Sequence, residues 1–436
     1  MNSARLALVV AVGAILTSAT ALADDVPNPR LESLDDRVTD LEAAQALQRV
    51  RFSGAMINRF EYFDTRYGVP GEAKEHDVLK PFSTYFAFNA DFDVTSRLKV
   101  YTTLAMSKFW QNDGRNEYPG AWQASEAGSY GYGGSTPMFD RAYMAYTFGI
   151  PLTLAVGRMP TNQGVPVNQL DGLAREGTYP RFAYNAIFDG IAAVFAFTRY
   201  LPAGHSLQLR AFYTPQIFVS KTDRTRQLVD GTYKVDSNTL QYALLLEYSL
   251  SRLGRFADLL NLYYMFYQYS NFYNDGTNGT TPPLNPLDSA IANMAYIGLE
   301  GIGHIGLNAS LSALFYRTSE KMLDGTSGGT TNSASFLVNV NQRLDFIHAG
   351  TVLGAEFIKT DAAFYLDEWT YLNVIPFYST PASKGVHAFV STALGDNLRA
   401  RIGWYLLHSE PYDLSGFASA DETDSQSFYV QLTAHF

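Results

Sequence analysis

From residue 50 to the end of the chain, apolar and polar side chains alternate with a period of two, in segments of about 10 to 13 residues. Between Leu240 and Leu250 one face is wholly apolar or tyrosine, whereas the other carries Gln241, Glu247 and Ser249. Globular strands average about 5 to 6 residues, but a tilted strand needs about 9 to 11 to cross the hydrocarbon of a bilayer. The alternation therefore predicts long β-strands with one face suited to lipid and the other to water.

A soluble β-sandwich alternates as well, so the lengths of the connections have to separate the two architectures. Short turns are predicted at 95–96, 149–151, 202–205, 251–257, 301–303, 346–348 and 395–397. Long polar loops are predicted at 64–81, 111–137, 159–186, 216–237, 271–288, 318–333, 360–383 and 409–424. Outer-membrane barrels have an even strand count, short turns at one end and long loops at the other. The sequence therefore predicts an all-β fold, a transmembrane antiparallel β-barrel of about 16 strands, with 14 or 18 as alternatives, over residues 49–436.

The first 23 residues have the layout of a secretory signal peptide. Arg5 is followed by the apolar run Leu6 to Leu16, and the segment ends in Ala21-Leu22-Ala23. The run is shorter than the roughly 20 residues that a membrane-spanning helix needs, which makes an uncleaved anchor the weaker alternative. We expect cleavage before Asp24 and export of the mature chain.

Residues 24–48 are predicted to form a short helix in the periplasm, since Leu31, Leu34, Val38 and Leu41 follow the spacing of a coiled-coil seam. The pattern lasts only two heptads, and Gln45 and Gln48 occupy the next seam positions. The helix either brings copies together, with a homotrimer as the expected assembly, or packs on a neighbouring surface.

Composition removes several function classes. The chain has no cysteine, which excludes disulfide scaffolds, zinc–cysteine sites and thiol nucleophiles. Its net charge is −10 and it has no basic block, which argues against nucleic acid as a partner. The seven histidines form no metal-ligand motif, and no nucleophile elbow is present. We expect no enzyme activity, no cofactor and no metal; the acidic segment 413–424 is interpreted as solvated surface rather than a calcium site.

Several stretches resemble a known family. They are residues 49–54, Phe139-Asp140-Arg141-Ala142-Tyr143, Gly157-Arg158-Met159-Pro160-Thr161, and residues 185–194 around Phe188-Asp189-Gly190. These resemble the uncharacterised outer-membrane porins of Gram-negative bacteria that are grouped as a domain of unknown function. The resemblance implies a signal peptide, a short coiled coil, a barrel and an outer-membrane location, but no site residues. Ala55 departs from the pattern, where an acidic residue is expected.

The end of the chain alternates through residues 428–436 and terminates in Phe436. This resembles the C-terminal strand that the bacterial outer-membrane assembly machinery recognises. Phe436 is therefore predicted to be an assembly signal, and outer-membrane lipid and that machinery are the expected partners.

A water-filled channel for small polar solutes or ions is the function that these features favour. The third long loop, 159–186, contains Asp171, Arg175, Glu176 and Arg181, which are predicted to narrow the pore. The alternative is a loop that covers the mouth or contacts a neighbouring subunit.

Alternation also predicts which charges line the lumen wall. The functional interpretation is an arginine ladder that faces acidic loop residues; the alternative is that these charges hydrate the wall and pair with each other. Two rival functions stay open, a sheath around a multi-haem electron conduit and an anchor for adhesive surface loops. The predicted wall residues are Arg51, Arg59, Glu61, Arg141, Arg210, Glu247, Arg343, Arg399 and Arg401.

Overall fold

The computed structural model describes residues 49–80, 82–109, 137–160, 187–217, 225–227, 233–235, 239–270, 287–321, 327–361, 377, 380–414, 417–419 and 421–436. Their long strands form one antiparallel sheet of 17 segments that closes on itself. Two consecutive segments, Glu75–Leu79 and Phe82–Asp93, both pair with the first strand and make up one interrupted strand, so the barrel has sixteen. The predicted fold class and strand count are confirmed.

Each strand pairs with the next along the chain. In chain order they are β1 Val50–Gly68, β2 Glu75–Leu79 with Phe82–Asp93, β3 Leu98–Phe109, β4 Met138–Thr147, β5 Leu152–Pro160, β6 Ile187–Ala196, β7 His205–Ile217, β8 Thr239–Ser251, β9 Leu259–Ser270, β10 Leu287–Ile302, β11 Leu307–Lys321, β12 Ser327–Arg343, β13 Val352–Lys359, β14 Ser383–Gly395, β15 Leu398–Ser409 and β16 Glu422–His435.

The barrel closes where β1 meets β16, in a continuous antiparallel register from Ala55 opposite His435 to Gly68 opposite Glu422. Two backbone hydrogen bonds extend this seam by one residue pair. Gly54 N donates to Phe436 O at 2.7 Å, and Phe436 N donates to Gly54 O at 3.1 Å. The ring of Phe436 stacks on Phe86 with centroids 6.0 Å apart. Closure leaves no strand edge along this sheet, which is the requirement for β-structure in lipid.

The two faces of the wall differ as the alternation predicts. On β8, Gln241, Leu245 and Glu247 point inward and are buried, whereas Leu244 and Leu246 point outward and are 44% and 42% exposed. Similar outward apolar positions recur on β1, β2 and β9 to β16. A face of exposed leucine, valine and phenylalanine is stable only against an apolar phase, so the outer wall matches hydrocarbon rather than water.

The seven predicted short turns all lie at one end of the barrel, which we call the short-turn end, and the other connections lie at the long-loop end. Two of the predicted long loops are wrong in extent. β1 runs on to Gly68 and pairs with Glu75–Leu79, and β11 and β12 leave only residues 322–326 between them. These extensions consist mainly of polar residues, so they carry no apolar alternation that the sequence could reveal.

Short elements occur within two of the predicted loops, as the hairpins Thr225–Gln227 with Tyr233–Val235 and Tyr412–Leu414 with Phe417–Ser419. A 3-10 turn, Thr198–Tyr200, lies between β6 and β7. In the part of the chain given above, no helix has the length and apolarity needed to cross a membrane. The predicted signal peptide and helix, residues 1–48, lie outside the described residues.

Candidate functional site: the interior of the barrel

The inward side chains fall into two zones. Along β8 to β16 and β1 most of them are buried, which we call the packed zone. Toward the short-turn end of β2, β3, β4 and β7 they are only half-buried, which we call the open zone. Its polar and aromatic members are Asn89, Asp91, Lys99, Tyr101, Tyr143 and Arg210. Water therefore reaches the wall mainly on the open side of the interior.

A buried hydrogen-bond network lies at the centre of the packed zone. Glu356 Oε2 is 2.8 Å from His387 Nδ1, and His387 Nε2 is 2.9 Å from the Tyr429 hydroxyl. Asn339 Nδ2 donates to the other oxygen of Glu356 at 2.9 Å. Neither Glu356 nor His387 has any exposed side-chain surface. With its proton on Nδ1, a neutral His387 donates to Glu356 and accepts from Tyr429, so one tautomer satisfies both contacts.

A second carboxylate, Glu61 on β1, is held next to this network. Its Oε1 accepts hydrogen bonds from the Tyr405 hydroxyl at 3.0 Å and from Ser427 Oγ at 2.6 Å. Phe377, which belongs to the connection between β13 and β14, is fully buried and packs on His387 and Tyr405 with centroids 5.5 and 5.9 Å apart. The long-loop connection therefore sends at least one side chain into the barrel.

Two predicted wall arginines meet at one glutamine. Arg59 Nε donates to Gln431 Oε1 at 3.2 Å and Arg401 Nη2 donates to the same oxygen at 2.7 Å. Both guanidinium groups also lie over the Tyr429 ring, 5.8 and 5.5 Å from its centroid. The two arginines are 6% and 3% exposed, so in this structure protein rather than open water covers them.

Three other predicted wall arginines contact residues close to them in the barrel. Arg210 Nη2 lies 3.2 Å from Glu247 Oε2, and Arg343 Nη2 lies 2.9 Å from Asp345 Oδ2. Arg399 Nη1 donates to the Gly350 carbonyl at 3.0 Å. Of these contacts, the one between Arg210 and Glu247 joins two predicted wall charges.

Arg141 on β4 contacts residues of the open zone. It donates to Asn89 Oδ1 at 2.8 Å, contacts Thr103 Oγ1, and has Nη2 3.7 Å from Asp91 Oδ1. Arg51 opens β1 and is exposed. The four predicted constriction residues, Asp171, Arg175, Glu176 and Arg181, lie outside the described residues.

A charged cluster lies on the outer face at the long-loop end. Lys74 Nζ is 2.6 Å from Asp424 Oδ2 and 3.2 Å from Glu422 Oε1, and His408 Nδ1 is 2.7 Å from Asp424 Oδ1. The hydrogen bond to Asp424 raises the pKa of Lys74 above its ordinary value. His408, Glu422 and Asp424 have the composition of a cation site, but the Lys74 ammonium already supplies the positive charge there.

Sequence reasoning did not identify the residues of the central network. Glu356, His387 and Tyr429 are separated by 31 and 42 positions along the chain. The available sequence signal was the alternation along β14, where His387 lies between the outward residues Val386 and Ala388 and therefore points inward. Only the strand register shows which inward polar residues of different strands lie close enough to contact each other.

Part of the chain matches a family model. Residues 75–209 match a family model described as "Protein of unknown function (DUF3373)", and this span contains all the resembling stretches except residues 49–54. No curated protein gives a significant sequence match.

Solved structures with a similar fold are outer-membrane porins. OprB of Pseudomonas putida is 12% identical and has a TM-score of 0.51, with 91% of this chain and 96% of that chain covered. OmpF of Salmonella typhi is 11% identical at a TM-score of 0.44, covering 89% and 97%. The anion-selective porin of Comamonas acidovorans is 11% identical at 0.47, covering 89% and 99%. The first of these shows the fold: the chain is a closed sixteen-strand barrel of the porin type, and its segment 75–209 is similar to a family whose function is unknown.

Proposed function

We propose that this chain forms a water-filled channel in the bacterial outer membrane, through which small hydrophilic solutes or ions diffuse passively. The observation that carries the proposal is the polarity of a closed sixteen-strand wall, which is apolar on its outer face and carries the polar and charged side chains of the strands on its inner face. Barrels of this size enclose enough space for an aqueous passage. The open zone offers Asn89, Asp91, Lys99 and Arg210 to that passage, and these groups suit hydrated solutes rather than apolar ones.

The channel is tested by reconstitution in a planar bilayer. Purified folded protein is expected to give stepwise conductance with a measurable ion selectivity, because water fills the half-exposed side of the lumen. Protein that has been heat-unfolded before addition is the control and should give no steps. Absence of conductance at every applied voltage would contradict the channel and favour a sheath or an anchor.

The sheath has less support than the channel. A barrel that encloses a partner protein needs an interior free of its own loops, but Phe377 is buried against His387 and Tyr405. The packed zone therefore already fills part of the space that a cytochrome would occupy.

In the outer membrane, the proposed orientation follows the connection lengths. The short-turn end faces the periplasm together with the N-terminal helix, and the long loops are extracellular. Phe436 is proposed to guide assembly, since its backbone completes the β1–β16 seam. Three copies of the chain are proposed to associate through the predicted coiled-coil positions Leu31, Leu34, Val38 and Leu41.

The constriction proposal predicts a change of selectivity. Replacing both Arg175 and Arg181 with alanine is expected to lower the anion-to-cation permeability ratio several-fold, because two fixed positive charges leave the narrowest part of the pore. Reversal potentials under a salt gradient measure this ratio. The control is Arg66→Ala, which removes an exposed arginine from the outer face of β1 and should leave the ratio unchanged. A ratio unaltered in the double variant would remove these residues from the constriction.

A further inference from the structure

The two sides of the barrel interior differ in their access to water close to the short turns. Ser249 on β8 and Asn341 on β12 each lie two residues from the short-turn end of the strand, and they are 7% and 2% exposed. Lys99 on β3 lies one residue from the same end, and 40% of its side chain is exposed. At this end of the barrel a water-filled passage therefore runs off the barrel axis, next to the strands of the open zone.

The arginines of the packed zone are poorly placed to act on ions in this passage. Arg59 and Arg401 are almost fully buried, and both guanidinium groups lie over the ring of Tyr429. An ion cannot approach them closely, because protein covers them. In water, a fixed charge acts mainly on ions within a Debye length, which is about 10 Å at 0.1 M salt. Ion selectivity should therefore depend on inward charges that are in contact with water.

Lys99 and Asp93 form an ion pair on the lumen side of the wall, at the short-turn end. The two residues are opposite each other in the register of β2 and β3, and Lys99 Nζ lies 3.1 Å from Asp93 Oδ1. Each lies two positions from an inward residue of its strand, Tyr101 or Asp91, and therefore points inward as well. Their side chains are 40% and 37% exposed, so both charges are in contact with water.

A second ion pair continues the charge pattern deeper into the barrel. Asp91, two positions before Asp93 on β2, lies 3.7 Å from Arg141 on β4, and the side chains of Asp91 and Arg141 are 21% and 8% exposed. Exposure of the charged groups thus decreases from the Lys99–Asp93 pair to Arg141. An ion that enters from the short-turn end meets the Lys99–Asp93 pair first.

The hairpin of β2 and β3 has contacts of its own that hold it together without this ion pair. At the turn, Thr95 N donates to Leu98 O at 3.1 Å, and Thr95 Oγ1 accepts from Leu98 N at 2.9 Å. The pairing of β2 with β3 is unbroken from Ser83 to Asp93. An ion pair that is exposed to this extent contributes little to stability. A purely structural role therefore accounts poorly for two opposite charges that face the lumen.

We propose that Lys99 and Asp93 determine the ion selectivity at the short-turn end of the channel. The inference rests on the proposed channel function and assigns its selectivity there to one ion pair. In the wild type the two charges are 3.1 Å apart and offset each other at larger distances, so neither sign of ion is strongly favoured. Removing one charge leaves the other uncompensated next to water, where it attracts ions of opposite sign and repels ions of its own sign.

The test measures the anion-to-cation permeability ratio of the full chain in a planar bilayer, from reversal potentials at low salt. Lys99→Gln is expected to lower this ratio about twofold and Asp93→Asn to raise it about twofold, whereas the double variant should return close to wild type. The matched controls are Lys384→Gln and Glu410→Gln. These two residues form a more exposed pair at the long-loop end, with Lys384 on the outer face of β14, and their loss should leave the ratio unchanged.

Chemical restoration of the charge gives a second readout, because the chain contains no cysteine. The single thiol of Lys99→Cys is treated with a methanethiosulfonate reagent, which attaches its substituent through a disulfide and releases methanesulfinate. An ethylammonium substituent restores the positive charge and should return the permeability ratio to near the wild-type value. An ethylsulfonate substituent of similar size should lower the ratio further. Identical effects of the two substituents would contradict the proposal, because the site would then respond to size rather than to charge.

The possible outcomes separate this inference from the channel function. A folded protein without conductance contradicts both. Conductance with the same permeability ratio in wild type, Lys99→Gln and Asp93→Asn overturns the inference alone and leaves the channel function in place. Shifts of equal size in the Lys384 and Glu410 controls would also overturn it, since the selectivity would then not be specific to the lumen pair. Heat-modifiable migration on gels verifies that each variant is a folded barrel.

Discussion

Replacing Glu356 with leucine is expected to lower the free energy of unfolding of the barrel by about 3–5 kcal/mol. The carboxylate accepts from His387 and Asn339, and neither Glu356 nor His387 is in contact with water. Leucine accepts no hydrogen bond, so both buried donors lose their partner. Each unsatisfied buried donor costs about 1–3 kcal/mol, which is consistent with the larger figure for a broken buried pair.

The destabilisation caused by Glu356→Leu should affect the other contacts of the network as well as the two hydrogen bonds that are removed. His387 is held in its tautomer by Glu356 on one side and by the Tyr429 hydroxyl on the other. Phe377 packs on the imidazole, with centroids 5.5 Å apart. Glu356→Leu is therefore also expected to loosen the connection between β13 and β14, which limited proteolysis at the long-loop end would detect.

The measurement is a urea titration of the folded barrel in lipid vesicles. Glu410→Leu is the matched control, because its carboxylate is 67% exposed and its contact to Lys384 is 3.8 Å long. That variant should stay within about 0.5 kcal/mol of wild type. If Glu356→Leu is equally mild, then the network contributes little and the buried His387 does not depend on its carboxylate partner.

The outer wall was predictable from sequence because contact with lipid requires an apolar side chain at every second residue of a strand. Leu244, Leu246 and Ile402 are exposed and outward, as their positions in alternating segments indicate. Turn lengths then fixed the strand count, since each short turn returns the chain directly to the neighbouring strand. These features depend only on near neighbours in the chain.

The interior was less predictable because it depends on contacts between distant strands. Glu61 and Tyr405 are 344 positions apart, and Arg59 and Gln431 are 372 apart. Parity places each side chain inside the barrel, but the vertical register decides which ones meet. Sequence therefore predicts an inward position for Arg59, Glu61 and Arg401, but it does not predict the tyrosine, glutamine and serine side chains that they contact.

Irregular register explains a further difference at β4. Phe139 and Arg141 are two positions apart and should share a face, but Phe139 is 56% exposed and outward while Arg141 is 7% exposed and inward. The pairing of β3 with β4 shifts between Thr103 and Leu104, as expected for a β-bulge that adds one residue to β4. A bulge reverses the alternation beyond it, and nothing local in the sequence marks its position.

Aromatic rings lie flat against inward glycines at two places in the packed zone. Tyr429 and Gly403 are opposite in register, and the ring of Tyr429 covers the glycine so closely that a Cβ at 403 would overlap it. Phe389 covers Gly354 in the same way. Covering a strand glycine by a cross-strand ring removes the exposed backbone that makes glycine unfavourable in sheets, and it keeps the ring close to the wall.

Gly403→Ala is therefore expected to destabilise the barrel by about 1–3 kcal/mol in the wild type, as overpacking does. To accept the methyl group the Tyr429 ring must move, which disturbs its 2.9 Å contact with His387 and its position beneath Arg59 and Arg401. In a Tyr429→Ala background the clash is gone, and the same substitution should stabilise by up to about 1 kcal/mol, because alanine loses less backbone entropy than glycine in a strand.

The diagnostic result is the change in sign of the stability effect of Gly403→Ala. Urea titrations of the wild type, Gly403→Ala, Tyr429→Ala and the double variant measure this effect in both backgrounds. Tyr429→Phe is the control background: it keeps the ring and removes the hydroxyl, so Gly403→Ala should still destabilise there. An equal cost of Gly403→Ala with and without the ring would mean that the glycine is required by the backbone itself. Because φ at Gly403 is not among the positive values found in the described chain, we expect the ring, and not the backbone, to explain the glycine.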